Sequence, residues 1–264
     1  MNIYTPPSAK NLKDTLMPQI RLLLQGEPCT GKTTSALTFP NPIVLDLDNG
    51  LTKFSGSNII VIPMYNYDWV CEFDSKFKPL KPGAQPNRRD AVLKFLREDA
   101  LKMTNEQTLI IDSWTSLQSA FDLQQDLEPA ITKSGQIDEF SFWAKKLDFS
   151  EKVMVYLCSL KSHVVCCCHE SKVRDIKTGQ LLEKSQPLMQ GKFYSQMKRY
   201  FTECFRCIVE EKKNKEGKVI GAEYFWQVMS DNQFDAKTRL TFPEGTFKII
   251  PHFDIFNQYK AKQI

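Results

Sequence analysis

The sequence predicts an α/β domain with a mainly parallel central sheet flanked by helices and a C-terminal antiparallel hairpin. Three observations carry this. Short apolar runs alternate with longer stretches of helical periodicity, the pattern of parallel strands joined by crossover helices. A glycine-rich run, Gly26-Glu27-Pro28-Cys29-Thr30-Gly31-Lys32-Thr33-Thr34, falls between a strand-like and a helix-like segment. Near the C-terminus, Phe205–Glu210 and Glu223–Val228 pair around the turn Asn214-Lys215-Glu216-Gly217.

Each element has its own signal. Arg21 to Gln25 is a short buried strand, and Thr33 to Phe39 gives the first turns of a helix, stopped by Pro40. Pro42–Asp46 is a buried strand ending in Asp46-Leu47-Asp48-Asn49-Gly50, and Asn58–Ile62 is another. Lys76–Asn87 carries Pro79, Pro82, Gly83 and Pro86 and reads as a loop. Asp90–Met103 is an amphipathic helix with Val92, Leu93, Leu96 and Ala100 on one side. Thr108–Ser113 is a central strand, followed by helices at Leu117–Leu127 and Phe140–Leu160, split by the polar stretch Thr132–Gln136. Val164–Cys168 is a strand, a connection runs to about Gly191, and a helix carries Phe193, Met197 and Tyr200. Asp254–Lys262 closes the chain as a helix. The predicted division is an N-terminal arm (1–19), a core (20–250) and a C-terminal helix (251–264).

The glycine-rich run fits G-x-x-x-x-G-K-[ST] in the strand–helix context that such a loop requires. Its glycines let successive backbone N–H groups turn inward around a β-phosphate, and the helix start adds partial positive charge. Lys32 would bridge the β- and γ-phosphates, and the Thr33 hydroxyl would hold Mg²⁺. The chain is expected to bind a nucleoside triphosphate.

In parallel α/β sheets ligands collect beyond the carboxyl ends of the strands, where several polar residues fall here. Asp112 follows an apolar strand and fits a carboxylate that holds Mg²⁺. Asp48, beyond the end of its strand, could orient and activate the attacking water. Glu170 is the alternative base, and His169 could touch the γ-phosphate, its plainer reading being a strand-end cap.

These parts resemble the RecA-like ATPases, through Gly26–Thr34, Leu45–Asp48, Leu109–Leu117 and the strand ending at His169, over roughly Gln19 to Phe247. More narrowly they look like the short phage RecA-like proteins of the AAA-type ATP-binding family, some of which anneal single strands. Pro187-Leu188-Met189-Gln190-Gly191-Lys192 and Ala236-Lys237-Thr238-Arg239 add to that likeness. The resemblance implies ATP and Mg²⁺ as cofactors, self-association into a ring or filament, and single-stranded DNA as partner. It also implies a cation, Arg239 with Lys237, that reaches a neighbouring subunit's γ-phosphate. RecA has Glu where Asp48 stands and Gln where His169 stands, and its N-terminal helix has no clear counterpart here.

By the same resemblance two segments would face DNA: Thr132–Gln136, and Ser171–Lys192 with Lys172, Arg174, Lys177, Lys184 and Lys192. The alternative for the second is an ordinary surface hairpin turning at Lys177–Gln180. Two other functions stay open: a nucleotide-switched assembly ATPase that never handles DNA, and a small-molecule kinase.

Composition bounds the rest. With 264 residues, 42% hydrophobic, the chain can bury one large core. Net charge is only +4, but Glu170–Lys218 holds twelve Lys/Arg against seven Asp/Glu. No signal peptide and no membrane-length apolar run is legible, so a cytoplasmic protein is expected, in the host cell if phage-encoded. Cys166-Cys167-Cys168 reads as core thiols, with a metal site flanked by His163 and His169 as the alternative.

Overall fold

A computed structural model describes residues 19–64, 88–127, 131–174, 181–189 and 193–259. The first strand, β1 (Arg21–Gly26), is followed by the short helix α1 (Lys32–Ala36) and β2 (Pro42–Asp46). Next come β3 (Ile60–Pro63), α2 (Arg88–Glu98), β4 (Thr108–Asp112), α3 (Trp114–Leu127) and α4 (Glu139–Ser159). The second half holds β5 (His163–Arg174), β6 (Leu181–Pro187), α5 (Phe193–Met197), β7 (Glu203–Lys213), β8 (Val219–Gln227), β9 (Lys248–Ile249) and α6 (Ile255–Gln258).

The strands lie in the order β3-β2-β4-β5-β1-β7-β8-β9, with β6 paired to β5. Pairings from β3 through β7 are parallel, whereas β5–β6, β7–β8 and β8–β9 are antiparallel. Every parallel strand therefore ends on the same side, and β1 ends between β5 and β7.

Period-two alternation splits the core into two layers. Leu23, Leu45, Leu109, Ile111, Val164, Cys166 and Cys168 face the layer holding Val92, Leu96, Phe121, Phe149 and Val153. Leu22, Leu24, Val44, Ile110, Val165, Cys167 and Phe205 face the other, with Phe39, Trp226 and Phe256. Each fully buried Leu, Ile or Val on these strands contributes about 1.5–3 kcal/mol relative to exposure. The three adjacent thiols alternate across both layers and are fully buried, as small apolar side chains would be. Burial pushes the Cys168 thiol up to about 12 and Cys166 and Cys167 well up, so all three stay protonated. Among the described residues no group of three His, Cys, Asp or Glu side chains could hold a metal ion.

Several boundaries differ from the sequence reading. β5 does not stop at Cys168 but runs on through His169 and Glu170 to Arg174, then pairs back with β6. The connection expected up to Gly191 is therefore largely taken up by the paired strands β5 and β6, and residues 175–180 between them lie outside the described residues. α2 ends at Glu98, and a separate 3₁₀ turn covers Ala100–Lys102. α6 is a single turn, and Phe256 packs on Phe39 at 5.5 Å, which fixes it to the core. The proline-rich stretch Lys76–Asn87 and residues 1–18 lie outside the described residues. No helix among the described residues is long and apolar enough to cross a membrane.

Candidate active site

β1 ends at Gly26, and the chain turns there because nothing larger fits. A Cβ on Gly26 would sit 2.7 Å from the Thr30 hydroxyl and 2.8 Å from the Cys207 carbonyl. Gly31, at φ +83°, adopts the left-handed conformation that places it just before α1. The Thr30 hydroxyl closes the loop on the Glu27 carbonyl at 2.8 Å. Lys32 is buried and folds back, its ammonium donating to the Gly26 and Glu27 carbonyls at 2.9 and 2.7 Å. Among the described residues no protein acceptor pairs with the backbone N–H groups of Gly31, Lys32, Thr33 or Thr34. Pro28 and Cys29 are exposed at the loop's crest. A loop of unpaired amides around a lysine fits a phosphate chain.

Beside it, β2 and β4 end in register, with Asp46 opposite Asp112. The Thr33 hydroxyl donates to Asp112 Oδ2 at 2.7 Å, joining α1 to the end of β4. Burial pushes the Asp112 carboxyl above its usual range, and the negative charges of Asp48 and Asp46 push the same way against the Thr33 hydrogen bond. A hydroxyl against a carboxylate crowded by two others is a donor set that suits a hard divalent cation. Thr33 and Asp112 would hold Mg²⁺, which when bound neutralises phosphate charge.

Asp46 and Asp48 divide their work. Asp46 is buried and accepts the backbone N–H groups of Asp48 and Gly50 at 3.2 and 3.3 Å, so it builds the turn. That turn leaves Asp48 partly exposed, with its Oδ2 3.9 Å from His169 Nε2. His169 sits beside the end of β1, in register with Gly26. Burial, then the nearby Lys32 charge, holds its imidazole below the usual value, and its buried Nδ1 has no hydrogen-bond partner. Lys32, Asp48, Asp112 and His169 thus converge on one mouth at the carboxyl ends of β1, β2, β4 and β5.

Glu170 does not join them. It is 3% exposed and takes both Arg206 N–H groups, Nη2 at 2.7 Å and Nε at 2.9 Å, as a bidentate pair. A carboxylate that is buried and held at both oxygens by a guanidinium is poorly placed to take up a water, so Glu170 is corrected from candidate base to structural anchor. The pair spans β5 and β7 where β1 has ended.

The turn with Arg239 is built by buried Glu203, which accepts the Thr238 hydroxyl at 2.6 Å and the Arg239 N–H at 3.1 Å. Lys237 donates to the Lys198 and Phe201 carbonyls at 2.9 and 2.6 Å, so its ammonium serves the fold and is corrected as part of the finger. The Arg239 side chain is exposed. In the β5–β6 hairpin Lys172 is exposed and Lys184 pairs with Asp235 at 2.7 Å. Arg174 is placed by its backbone alone, and Lys177 and Lys192 lie outside the described residues. Thr132–Gln136 forms a tight turn between the bridged residues Ile131 and Ile137.

Sequence reasoning missed two residues. Arg206 was detectable, as a charge inside the apolar run Cys204–Val209 that demands a buried partner. Tyr224 was not: its ring lies 3.0 Å from where a Gly31 Cβ would be, a contact only the sheet order creates.

A parallel sheet whose strand ends carry a phosphate loop, a carboxylate hydrogen-bonded to that loop's threonine and an acid at the neighbouring strand fits a RecA-like P-loop ATPase. A family model described as an AAA domain matches residues 18–240, and the chain belongs to that family. Among solved structures it is similar to the flagellar accessory protein FlaH from Methanocaldococcus jannaschii, at 11% identity and TM-score 0.39 over 83% of this chain and 88% of that one. It is similar also to a KaiC-like protein from Pyrococcus horikoshii, at 14% identity and TM-score 0.42 over 88% and 90%. Comparison with curated proteins gave no match.

Proposed function

We propose that this ATPase is a nucleotide-controlled, single-stranded-DNA-binding protein that acts in phage DNA recombination by annealing strands. The observation that supports this most is the continuity of β5. One strand carries His169 beside Lys32 and Asp48 and then runs on as an arm of the β5–β6 hairpin, with Lys172 and Arg174. Within the site Lys32 binds the phosphates, Thr33 and Asp112 hold the cation, and Asp48 orients the water and takes its proton. His169, neutral near pH 7, lies where a γ-phosphate oxygen would arrive and would pass its presence along β5. Arg239 supplies a cation to a neighbouring subunit's site in a ring or filament, and the protein works in the cytoplasm of the host cell.

The test is equilibrium binding of a fluorescent single strand with a non-hydrolysable ATP analogue, with ADP, and with no nucleotide. The analogue should tighten binding. Replacing Lys172, Arg174 and Lys177 with Ala should weaken it and flatten its salt dependence by roughly 0.7 in the log–log slope per lost contact. Absence of binding at low salt with the analogue would favour the assembly ATPase that never handles DNA.

A further inference from the structure

We infer that Thr115 is a positioning residue for ATP hydrolysis, its hydroxyl fixing the place where β5 delivers His169 and tying that point to the chain leaving β6. The inference rests on the reading of His169 as the group that meets the γ-phosphate. Thr115 stands in the first turn of α3, directly after Asp112, Ser113 and Trp114. Trp114 is fully buried and stacks on Phe193 at 5.8 Å, so the hydroxyl projects from a rigid support.

Three contacts meet at this oxygen. The His169 backbone N–H donates to Thr115 Oγ1 at 3.1 Å. Thr115 Oγ1 in turn donates toward the Leu188 carbonyl at 3.4 Å, with Cys168 Sγ at 3.5 Å beside it. The Leu188 N–H closes the ring by donating to the His169 carbonyl at 2.6 Å. β5 keeps its β1 neighbour only as far as His169, which lies opposite Gly26, the last residue of β1. The β4 pairing ends earlier, at Ile111 opposite Cys166. The hydroxyl therefore replaces a missing ladder bond on the β4 side, at the residue whose imidazole faces Asp48.

A hydroxyl in that position sets the backbone of His169 without touching nucleotide. Displacing the backbone moves the imidazole away from the reacting phosphate, which slows turnover while leaving the phosphate loop's affinity alone. Through Leu188 the same oxygen registers any shift of the hairpin, so hydrolysis and the β5–β6 hairpin share one hinge.

Steady-state ATP hydrolysis by Thr115→Val, Thr115→Ser and His169→Ala tests this, with nucleotide affinity and thermal midpoint measured on the same preparations. Thr115→Val should lower kcat about tenfold while KM stays within about twofold, and Thr115→Ser should restore kcat. Thr115→Ala serves as the second hydroxyl-free variant should valine not pack, with the same expectation. Slow His169→Ala beside a hydroxyl-free variant at the wild-type rate overturns the role of Thr115 and leaves that of His169 standing. Thr115→Ser as slow as Thr115→Val also overturns it, since packing rather than the hydroxyl would then matter. His169→Ala at the wild-type rate removes the reading of His169 and this inference with it.

Discussion

Asp48 and Asp112 lie at the ends of adjacent strands, and their surroundings give them different work. Asp112 is buried and hydrogen-bonded to Thr33, which suits a fixed cation ligand. Asp48 is partly exposed beside His169, which suits contact with water. Asp112→Asn should therefore raise the Mg²⁺ concentration needed for nucleotide binding, read by titrating the metal at fixed nucleotide. Asp48→Asn should keep nucleotide affinity and lower kcat by about 10²-fold or more. Lys32→Ala should abolish nucleotide binding and turnover with little loss of stability, since its contacts within the protein are two loop carbonyls. Glu170→Gln should act on stability: it leaves the part-buried Arg206 charged and half-paired, at a cost of about 1–3 kcal/mol in urea unfolding. A combined Glu170→Leu, Arg206→Met variant should recover part of that loss. Asp48 and Asp112 were legible in the sequence because each follows an apolar run at a strand end. The pairing of Glu170 was not, because it depends on β7 lying one strand away from β5, which no local pattern encodes.

At the scale of elements, the phosphate loop and the parallel strands were readable from short-range chemistry. Apolar runs bounded by Gly, Pro and Asp leave few alternatives. The end of β5 was not readable, because apolar character stops at Cys168 while hydrogen bonding continues to Arg174 on the strength of its pairing with β6. The start of β5 carries its own test. His163 is buried and its Nδ1 accepts the Ile20 N–H at 3.1 Å, an acceptance available only to the neutral ring. Burial holds its pKa below the ordinary 6.5. Between the folded and unfolded values the unfolded chain binds more protons, so stability rises with pH there and falls as pH drops below 6.5. His169 is shifted in the same direction and adds to the slope. Unfolding free energies measured from pH 7 downward should show this fall. His163→Asn, which keeps an acceptor and loses the titration, should flatten it, and an unchanged slope would remove His163 as its source.

At the scale of the whole molecule, a sheet with all parallel strands ending on one side gathers the chemistry at one edge. On the other side of β1 the sheet continues through β7, β8 and β9, so the β7–β8 hairpin brings Tyr224 onto the phosphate loop. The Arg239 side chain is exposed, and the proposal places it in trans, at a neighbouring subunit's site. Mixing Arg239→Ala with Lys32→Ala subunits should restore hydrolysis at mixed interfaces, where one subunit supplies the loop and the other the cation. No recovery at any ratio, with co-assembly confirmed, would count against a finger acting between subunits.

In the proposed function one site hydrolyses ATP and is coupled along β5 to single-stranded DNA. The most direct measurement is ATP turnover by the wild-type protein and by Asp48→Asn, each with and without a single-stranded oligonucleotide. Wild-type turnover should depend on Mg²⁺ and rise with the oligonucleotide, and Asp48→Asn should show little turnover with or without it. Hydrolysis at the wild-type rate in Asp48→Asn, or wild-type turnover indifferent to saturating DNA, would contradict it.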